Sequence, residues 1–483
     1  MDVTSRLAEW TADWDGNASE PARRWARSAV HDTIGCVIAG AGDLGASRIR
    51  SAISGWGTGA ASVAGSTEPA AAPWAALANG MAAHALDYDD NIHYAMTHAS
   101  AVILPALLAL GEEIDASGAD IIDAWLVGIE IQIAVGHGVN RLHYDNGFHA
   151  TSTVGTIGTA AACARLLGLD KTKTAHAISL GFSMASGTKA QFGTMAKPFH
   201  AGMAAKNAVI AARLAEAGID AAPEPLDGRY GFRDLYVGAA SRGWEGVLDD
   251  LGRPLAVEKY GLEPKCYPCC AGAHRALDGL LELQAAHHFD AEDVERIDTL
   301  VGWGNASSLL YPEPQQEMEA RFSMQYCIAA ALLGHGLRLS DFVLSAIRRP
   351  EARRLFSRIT MRTHPRGDAE APAERKPAEI SIHLKDGRVL SAKIQHARGT
   401  MFRPFSVSEL DEKFRDCAQG LLPPDSYAAL RDQLLGIEGL SSIRPVMRHL
   451  RFATGGDRGE RFVDRPYRRT PARADQAQKP IPH

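Results

Sequence analysis

The 483-residue sequence reads as mainly α, a large all-helical domain carrying an inserted, smaller α+β domain. Three features predict this. Ala-rich apolar segments of helical spacing follow one another from Glu20 to about Gly218, a run at 379–384 alternates apolar and polar side chains, and helical texture returns from Val407 to about Leu450. A chain of this length has the interior for two to three domains at ~150 residues each.

The spacing predicts helices over 22–39, 70–86, 100–113, 119–135, 151–167, 173–185 and 201–217. Ser19 with Pro21 is a start signal, and Gly136, Gly168 and Gly218 each stand just past the end of a segment. From about Glu263 the texture changes. Residues 294–301 are rich in Val, Ile and Thr, and the alternating strand at 379–384 is followed by Asp386-Gly387 and a second run at 388–395, a hairpin pattern. Helical stretches near 321–333 and 339–346 lie between these strands. The predicted domains are therefore 1–262 and 399–455 for the helical body, 263–398 for the insertion, and a Pro-rich, charged, disordered tail over 456–483.

Composition narrows the partners. The chain is 46% hydrophobic and 22% charged, with a net charge of −6, so it lacks the basic excess of a general nucleic-acid binder. The longest apolar run, 101–110, includes Pro105 and is about half of the ~20 residues that a membrane span needs. The first ten residues carry charge and no apolar signal core. Seven cysteines, an odd number scattered among apolar neighbours, suit a reducing interior better than a disulfide framework. A cytoplasmic protein that meets small molecules or other subunits is the expectation.

Histidine is unevenly placed, since eight of 18 fall between His84 and His200. The densest stretch is His84-Ala-Leu-Asp87-Tyr-Asp89-Asp90-Asn91-Ile-His93-Tyr-Ala-Met-Thr-His98, which links two apolar helices and can present acids and bases in a cleft. The helix that starts near Ser100 aims free backbone N–H groups at this link and favours an anion there. Asp89, Asp90 and Asn91 read equally as residues that merely cap and solvate a loop. Phe148-His149 opens one Ala-rich helix and Lys197-Pro198-Phe199-His200 opens another. Lys197 beside Pro and Phe is placed for partial desolvation, as a carboxylate anchor or an acid/base group.

The run Lys265-Cys266-Tyr267-Pro268-Cys269-Cys270-Ala-Gly-Ala-His274 holds three thiols and an imidazole, but a second ligand pair for structural zinc is missing, and no nucleophile elbow accompanies the cysteines. A packing segment that delivers Lys265 is the better reading. Gly40-Ala-Gly42-Asp-Leu-Gly45 follows a helix instead of a strand, the wrong context for a dinucleotide, and no phosphate-binding loop occurs.

Taken together, His84-Ala-Leu-Asp-Tyr-Asp-Asp, Thr97-His98-Ala-Ser-Ala-Val-Ile-Leu-Pro105, Phe148-His149, Lys197-Pro-Phe-His200 and Lys265-Cys-Tyr-Pro-Cys-Cys make the chain resemble the MmgE/PrpD family, over most of its length. That family includes 2-methylcitrate dehydratases, cis-aconitate decarboxylases and iminodisuccinate epimerases. The resemblance implies an all-helical domain with an α+β lid, a homodimer, and no metal or organic cofactor. By motif it places Asp87, His98, His149, Lys197 and Lys265 in the active site, with Tyr311 as a further member. Asn91 stands where the family often has Thr, and Cys270 where its decarboxylase branch has His.

The chemistry expected is proton transfer at a carbon beside a carboxylate of a polycarboxylate substrate. Lys197 and Lys265 are the expected carboxylate anchors, His98 the leading acid/base, Asp87 its orienter or a second proton carrier, and His149 an assistant; His200, Asn91, Tyr311 and Cys270 are candidate substrate contacts. The expected outcome is dehydration or decarboxylation of a citrate-like acid. The alternatives are epimerisation of an amino- or imino-dicarboxylate, and a non-catalytic carboxylate-binding protein.

Overall fold

The structure, a computed structural model, describes residues 2–139, 141–238, 243–244, 246–302, 306, 308–365 and 376–453. The tail expected over 456–483 lies outside them. Among the described residues the chain is mainly helical with one small four-stranded sheet, and these residues divide into two compact units, one built from residues up to 271 and from 396–453, the other from 272–395.

The first unit is helical. Helices Glu20–Gly40, Ala72–His84, Ser100–Ile114, Gly118–Val139, Ala150–Leu166, Lys171–Ser183 and Ala196–Glu216 supply its core, and Val407–Ala418 packs on the first of them. Small side chains let these helices approach closely. A Cβ on Gly202 would sit 2.2 Å from the backbone oxygen of Leu77, and one on Gly80 would sit 2.8 Å from the Cα of Gly202. Helices Ala72–His84 and Ala196–Glu216 therefore touch backbone to backbone, which fixes His84 relative to Lys197. Leu104, Leu107, Leu110, Ile121 and Trp125 fill the space behind them, each adding about 1.5–3 kcal/mol of burial.

Helix ends follow the capping rules where the chain has capping residues. Ser19 Oγ accepts from the backbone N–H of Ala22, and Gly168 and Gly218 adopt positive φ just beyond their helices. Gly136 departs from the expectation of a helix end. It lies inside Gly118–Val139, and a Cβ there would come within 2.7 Å of Ala95 Cα, so close packing and not termination accounts for it. The helix expected from Ala201 begins at Ala196, which puts Lys197 and His200 within its opening turns. Helices Val3–Asp13, Leu44–Ile53 and His274–His287 were not anticipated.

In the second unit the strands are β1 (Val294–Val301), β2 (Ile359–Thr363), β3 (Ala378–Leu384) and β4 (Val389–Ile394), in the order β2-β1-β3-β4. β1 runs parallel to β2 and antiparallel to β3, and β3 forms a hairpin with β4 through Gly387 at φ +87°. Alternation in β3 buries Ala378, Ile380, Ile382 and Leu384, and Ile380 meets helix His274–His287 at Gly279. β2 escapes sequence reading because it is a five-residue edge strand with little burial and no clean alternation.

Candidate active site

Helix Ala72–His84 ends in the middle of the first unit, and the link that follows is folded by its own backbone. Asp87 adopts φ +52°, a conformation that Asp tolerates better than most residues. Further along, Ile92 and Thr97 exchange backbone hydrogen bonds of 2.8 and 3.3 Å, so the chain doubles back and returns His98 to the neighbourhood of His84. Asn91 pairs through its backbone with Glu263, and its amide Nδ2 donates to Glu263 Oε2 at 2.7 Å. That bridge ties the link to the segment bearing Lys265.

The outcome is a buried group of charges drawn from remote positions. Lys197 Nζ lies 2.8 Å from Asp87 Oδ1, and Lys265 Nζ lies 2.8 Å from Asp87 Oδ2 and donates to the Asp87 backbone oxygen at 3.0 Å. All three side chains are almost wholly buried. Burial alone would push the Asp87 carboxyl up, but the two ammonium groups hold it well below the usual carboxylate range. Burial likewise opposes the charge on Lys265, and the Asp87 and Asp89 carboxylates overcome it and raise its pKa.

The imidazoles form a second layer of the same cluster. His84 Nδ1 is 2.8 Å from Asp89 Oδ2, His98 Nδ1 is 3.2 Å from that same oxygen, and the two rings lie 4.4 Å apart. His149 stacks at 6.0 Å on His84, and its Nδ1 is 3.0 Å from Nδ1 of His200. One of those two nitrogens must donate and the other accept, so the pair takes opposite tautomers. Burial pushes His84 down to about 3 against the pull of Asp89, and it lowers His98, His149 and His200 as well, with Lys197 adding to the effect in each. The histidines are thus held neutral, and the His98 side chain is 18% exposed while His84 and Asp89 are sealed.

Two predicted residues are not in this contact set. The amide of Asn91 engages Glu263, and Tyr311 belongs to the second unit, where its backbone N–H donates to Phe322 O at 3.3 Å. Cys270 is partly exposed and lies close enough to Lys265 to act on its charge. His84 and Asp89 are the residues that the sequence left unassigned. Asp89 was legible only as a loop acid, yet it is fully buried between two imidazoles. Its neighbour Asp90 does have the capping role, accepting from the Ser100 backbone N–H at 3.2 Å, so the anion at that helix start is the protein's own. Buried with few partners, Asp90 is pushed up to about 7.

One group among the described residues is spaced to hold a metal ion: His84, Asp89 and His98, with ligand atoms within 4.8 Å of one another. The ammonium groups of Lys197, which bears electrostatically on both histidines, and of Lys265, which bears on His98, work against a cation there. No helix among the described residues is long and apolar enough to cross a membrane. Chemically, the cluster can hold carboxylates on paired ammonium groups and move protons through imidazoles whose pKa values are depressed.

Comparison with known proteins bears on the family. The MmgE/PrpD N-terminal domain matches residues 5–245 and the MmgE/PrpD C-terminal domain matches residues 267–434. The chain is 32% identical over 386 residues to a cis-aconitate decarboxylase of Homo sapiens, covering 76% of this chain and 77% of the relative. It is 30% identical to that of Mus musculus over 78% of each chain, and 24% identical to that of Aspergillus terreus over 92% of this chain and 95% of the relative. With both domains of the family matched over most of its length, the chain belongs to the MmgE/PrpD family.

Proposed function

We propose that this protein is a lyase acting on a citrate-like polycarboxylate such as cis-aconitate, by proton transfer at a carbon next to a carboxylate and without a metal or organic cofactor. The observation that carries the reading is the grip of Lys197 and Lys265 on one carboxylate, that of Asp87, beside the histidine cluster. A pair that holds a side-chain carboxylate in this way is equipped to hold a substrate's. The similarity to proteins named cis-aconitate decarboxylase supports the choice of substrate class.

In this reading Lys197 and Lys265 anchor substrate carboxylates, and His98 moves the proton. Asp87 orients the lysines or carries a second proton, and His149 assists. His200, Asn91 and Cys270 complete the binding set, while Tyr311 belongs to it through the family resemblance alone. For decarboxylation the C–C bond to one carboxylate breaks, CO₂ leaves, and the electron pair stays on the carbon framework, which takes a proton from His98; that ring, neutral in the free protein, binds the proton when the polyanion arrives and returns to neutral on giving it up. Positive charge from the lysines offsets the negative charge that develops. We further propose that the enzyme works as a cytoplasmic homodimer.

The test is incubation of the purified protein in D₂O with cis-aconitate, 2-methylcitrate and iminodisuccinate, followed by NMR. Release of CO₂ from cis-aconitate is the expected result. Alkene formation from 2-methylcitrate would reassign the chain as a dehydratase, and deuterium exchange at a retained stereocentre as an epimerase. No product and no exchange with any of them would leave a carboxylate-binding protein.

A further inference from the structure

The carboxylate of Asp89 is shared. His84 and His98 both bring Nδ1 to its Oδ2, at 2.8 and 3.2 Å, and its side chain is fully buried. A carboxylate only accepts, so a ring nitrogen that bonds to it carries the hydrogen: His84 Nδ1 makes that hydrogen bond, whereas His98 Nδ1, buried with no hydrogen-bond partner among the described residues, has Asp89 Oδ2 at ion-pair distance as the acceptor it faces. That determines the other end of each ring: when Nδ1 is protonated in a neutral imidazole, Nε2 holds the lone pair. Nε2 of His84 is buried with no hydrogen-bond partner among the described residues, so its ring is held from the Asp89 side. His98 keeps partial exposure, and its backbone is fixed by the hydrogen bond from its N–H to Thr151 Oγ1 at 3.1 Å.

We propose that Asp89 is a positioning residue, braced by His84, that fixes His98 as its Nδ1–H tautomer and so makes Nε2 the atom that exchanges a proton with substrate. His84 is the brace because it occupies the same carboxylate oxygen from the end of helix Ala72–His84, lies against the His98 ring at 4.4 Å with the planes tilted by 56°, and stops Asp89 from turning away. The charge of Asp89 also favours protonation of His98, against the other titratable groups that face it among the described residues. Those are Lys265, Lys197 and the ring of His84, with the His149 ring also close enough to interact, while Asp87 is the other carboxylate nearby. This inference rests on the reading of His98 as the proton carrier.

The experiment has two arms. In the first, the full chain is labelled with ¹⁵N-histidine and its imidazole signals are recorded by long-range ¹H–¹⁵N correlation, with His98 assigned by comparison with His98→Gln. The expected result is a His98 ring with Nδ1 protonated and Nε2 bare in the wild-type protein, redistributed in Asp89→Asn. A His98 ring protonated at Nε2 in the wild type would overturn the proposal, whatever the variant does to folding. In the second arm, Asp89→Asn is assayed with cis-aconitate. A fall in kcat of about 10²- to 10⁴-fold is expected, with KM within about threefold and the limb of the pH profile that belongs to His98 moved to lower pH. An unchanged pH profile with an unchanged kcat would overturn it too. If the wild type turns over no polycarboxylate, the functional reading fails, and the tautomer measurement still decides the positioning role.

Discussion

Lys197 and Asp87 stand 110 residues apart in sequence and 2.8 Å apart in space, with both side chains almost sealed from water. Lys265 holds the second oxygen of the same carboxylate, so one acid neutralises part of two buried cations. The arrangement is costly to form and more costly to break, because removing the acid leaves both ammonium groups buried with less compensation.

Asp87→Asn is therefore expected to destabilise the fold by about 3 kcal/mol. Asn accepts the positive φ of this position, so backbone strain does not confuse the comparison. Urea denaturation measures the loss. A polycarboxylate that supplies a replacement anion should recover part of it in the variant, and a midpoint that does not respond to such a ligand would contradict the anchoring role of the lysines.

Lys197→Met and Lys265→Met each remove one charged donor while keeping much of the aliphatic bulk. Each should lower kcat/KM by about ten- to a hundredfold, the range for a lost hydrogen bond to a charged group. Steady-state kinetics on protein with an unchanged circular dichroism spectrum checks this. Wild-type kinetics in either variant would remove that lysine from the site.

Ligand binding should take up protons. His98, His149 and His200 are held neutral by burial and by the lysine charges, and an arriving polyanion favours their protonated forms. Calorimetric titration with a non-reacting tricarboxylate in two buffers of different ionisation enthalpy should give net uptake near neutral pH, and affinity should weaken as pH rises. Proton release, or no exchange, would show that the histidines do not sense the ligand.

Gly202→Ala tests the helix contact beneath the site. The new methyl would meet the Leu77 carbonyl oxygen at 2.2 Å, a contact that only separation of two helix backbones can relieve. A loss of about 1–3 kcal/mol is expected, with a fall in kcat/KM because Lys197 and His84 ride on the two helices being separated. Full stability and activity in this variant would show that the contact is easily relaxed.

His31 makes a prediction about acid stability. Burial holds it at about 4, against 6.5 for an exposed histidine, with Asp411 partly opposing the shift. Between these values the unfolded chain binds a proton that the folded chain refuses, so stability falls as pH drops from 6.5 towards 4. At pH 5 the loss from this residue is about 2 kcal/mol. His31→Leu should therefore narrow the difference between urea midpoints measured at pH 7.5 and pH 5. Asp90, held near 7, acts in the opposite sense in both proteins and cancels in the comparison.

The helices were readable because Ala-rich periodicity and caps such as Ser19 and Gly168 are local signals, as was the β3–β4 hairpin with its Asp386-Gly387 turn. The candidate site residues were readable as types, since lysines and histidines next to helix starts are unusual enough to draw notice, and the family motifs run through them. Their partners were not. That Asp90 caps a helix while Asp89, one position earlier, is clasped by two imidazoles depends on how the chain doubles back between Ile92 and Thr97. Likewise Gly136 looked like a helix terminus and proved to be a point of contact with Ala95. Periodicity and capping act over a few residues and are written into the order of the chain, whereas the partner of a buried charge is selected by desolvation, which only the packed interior imposes.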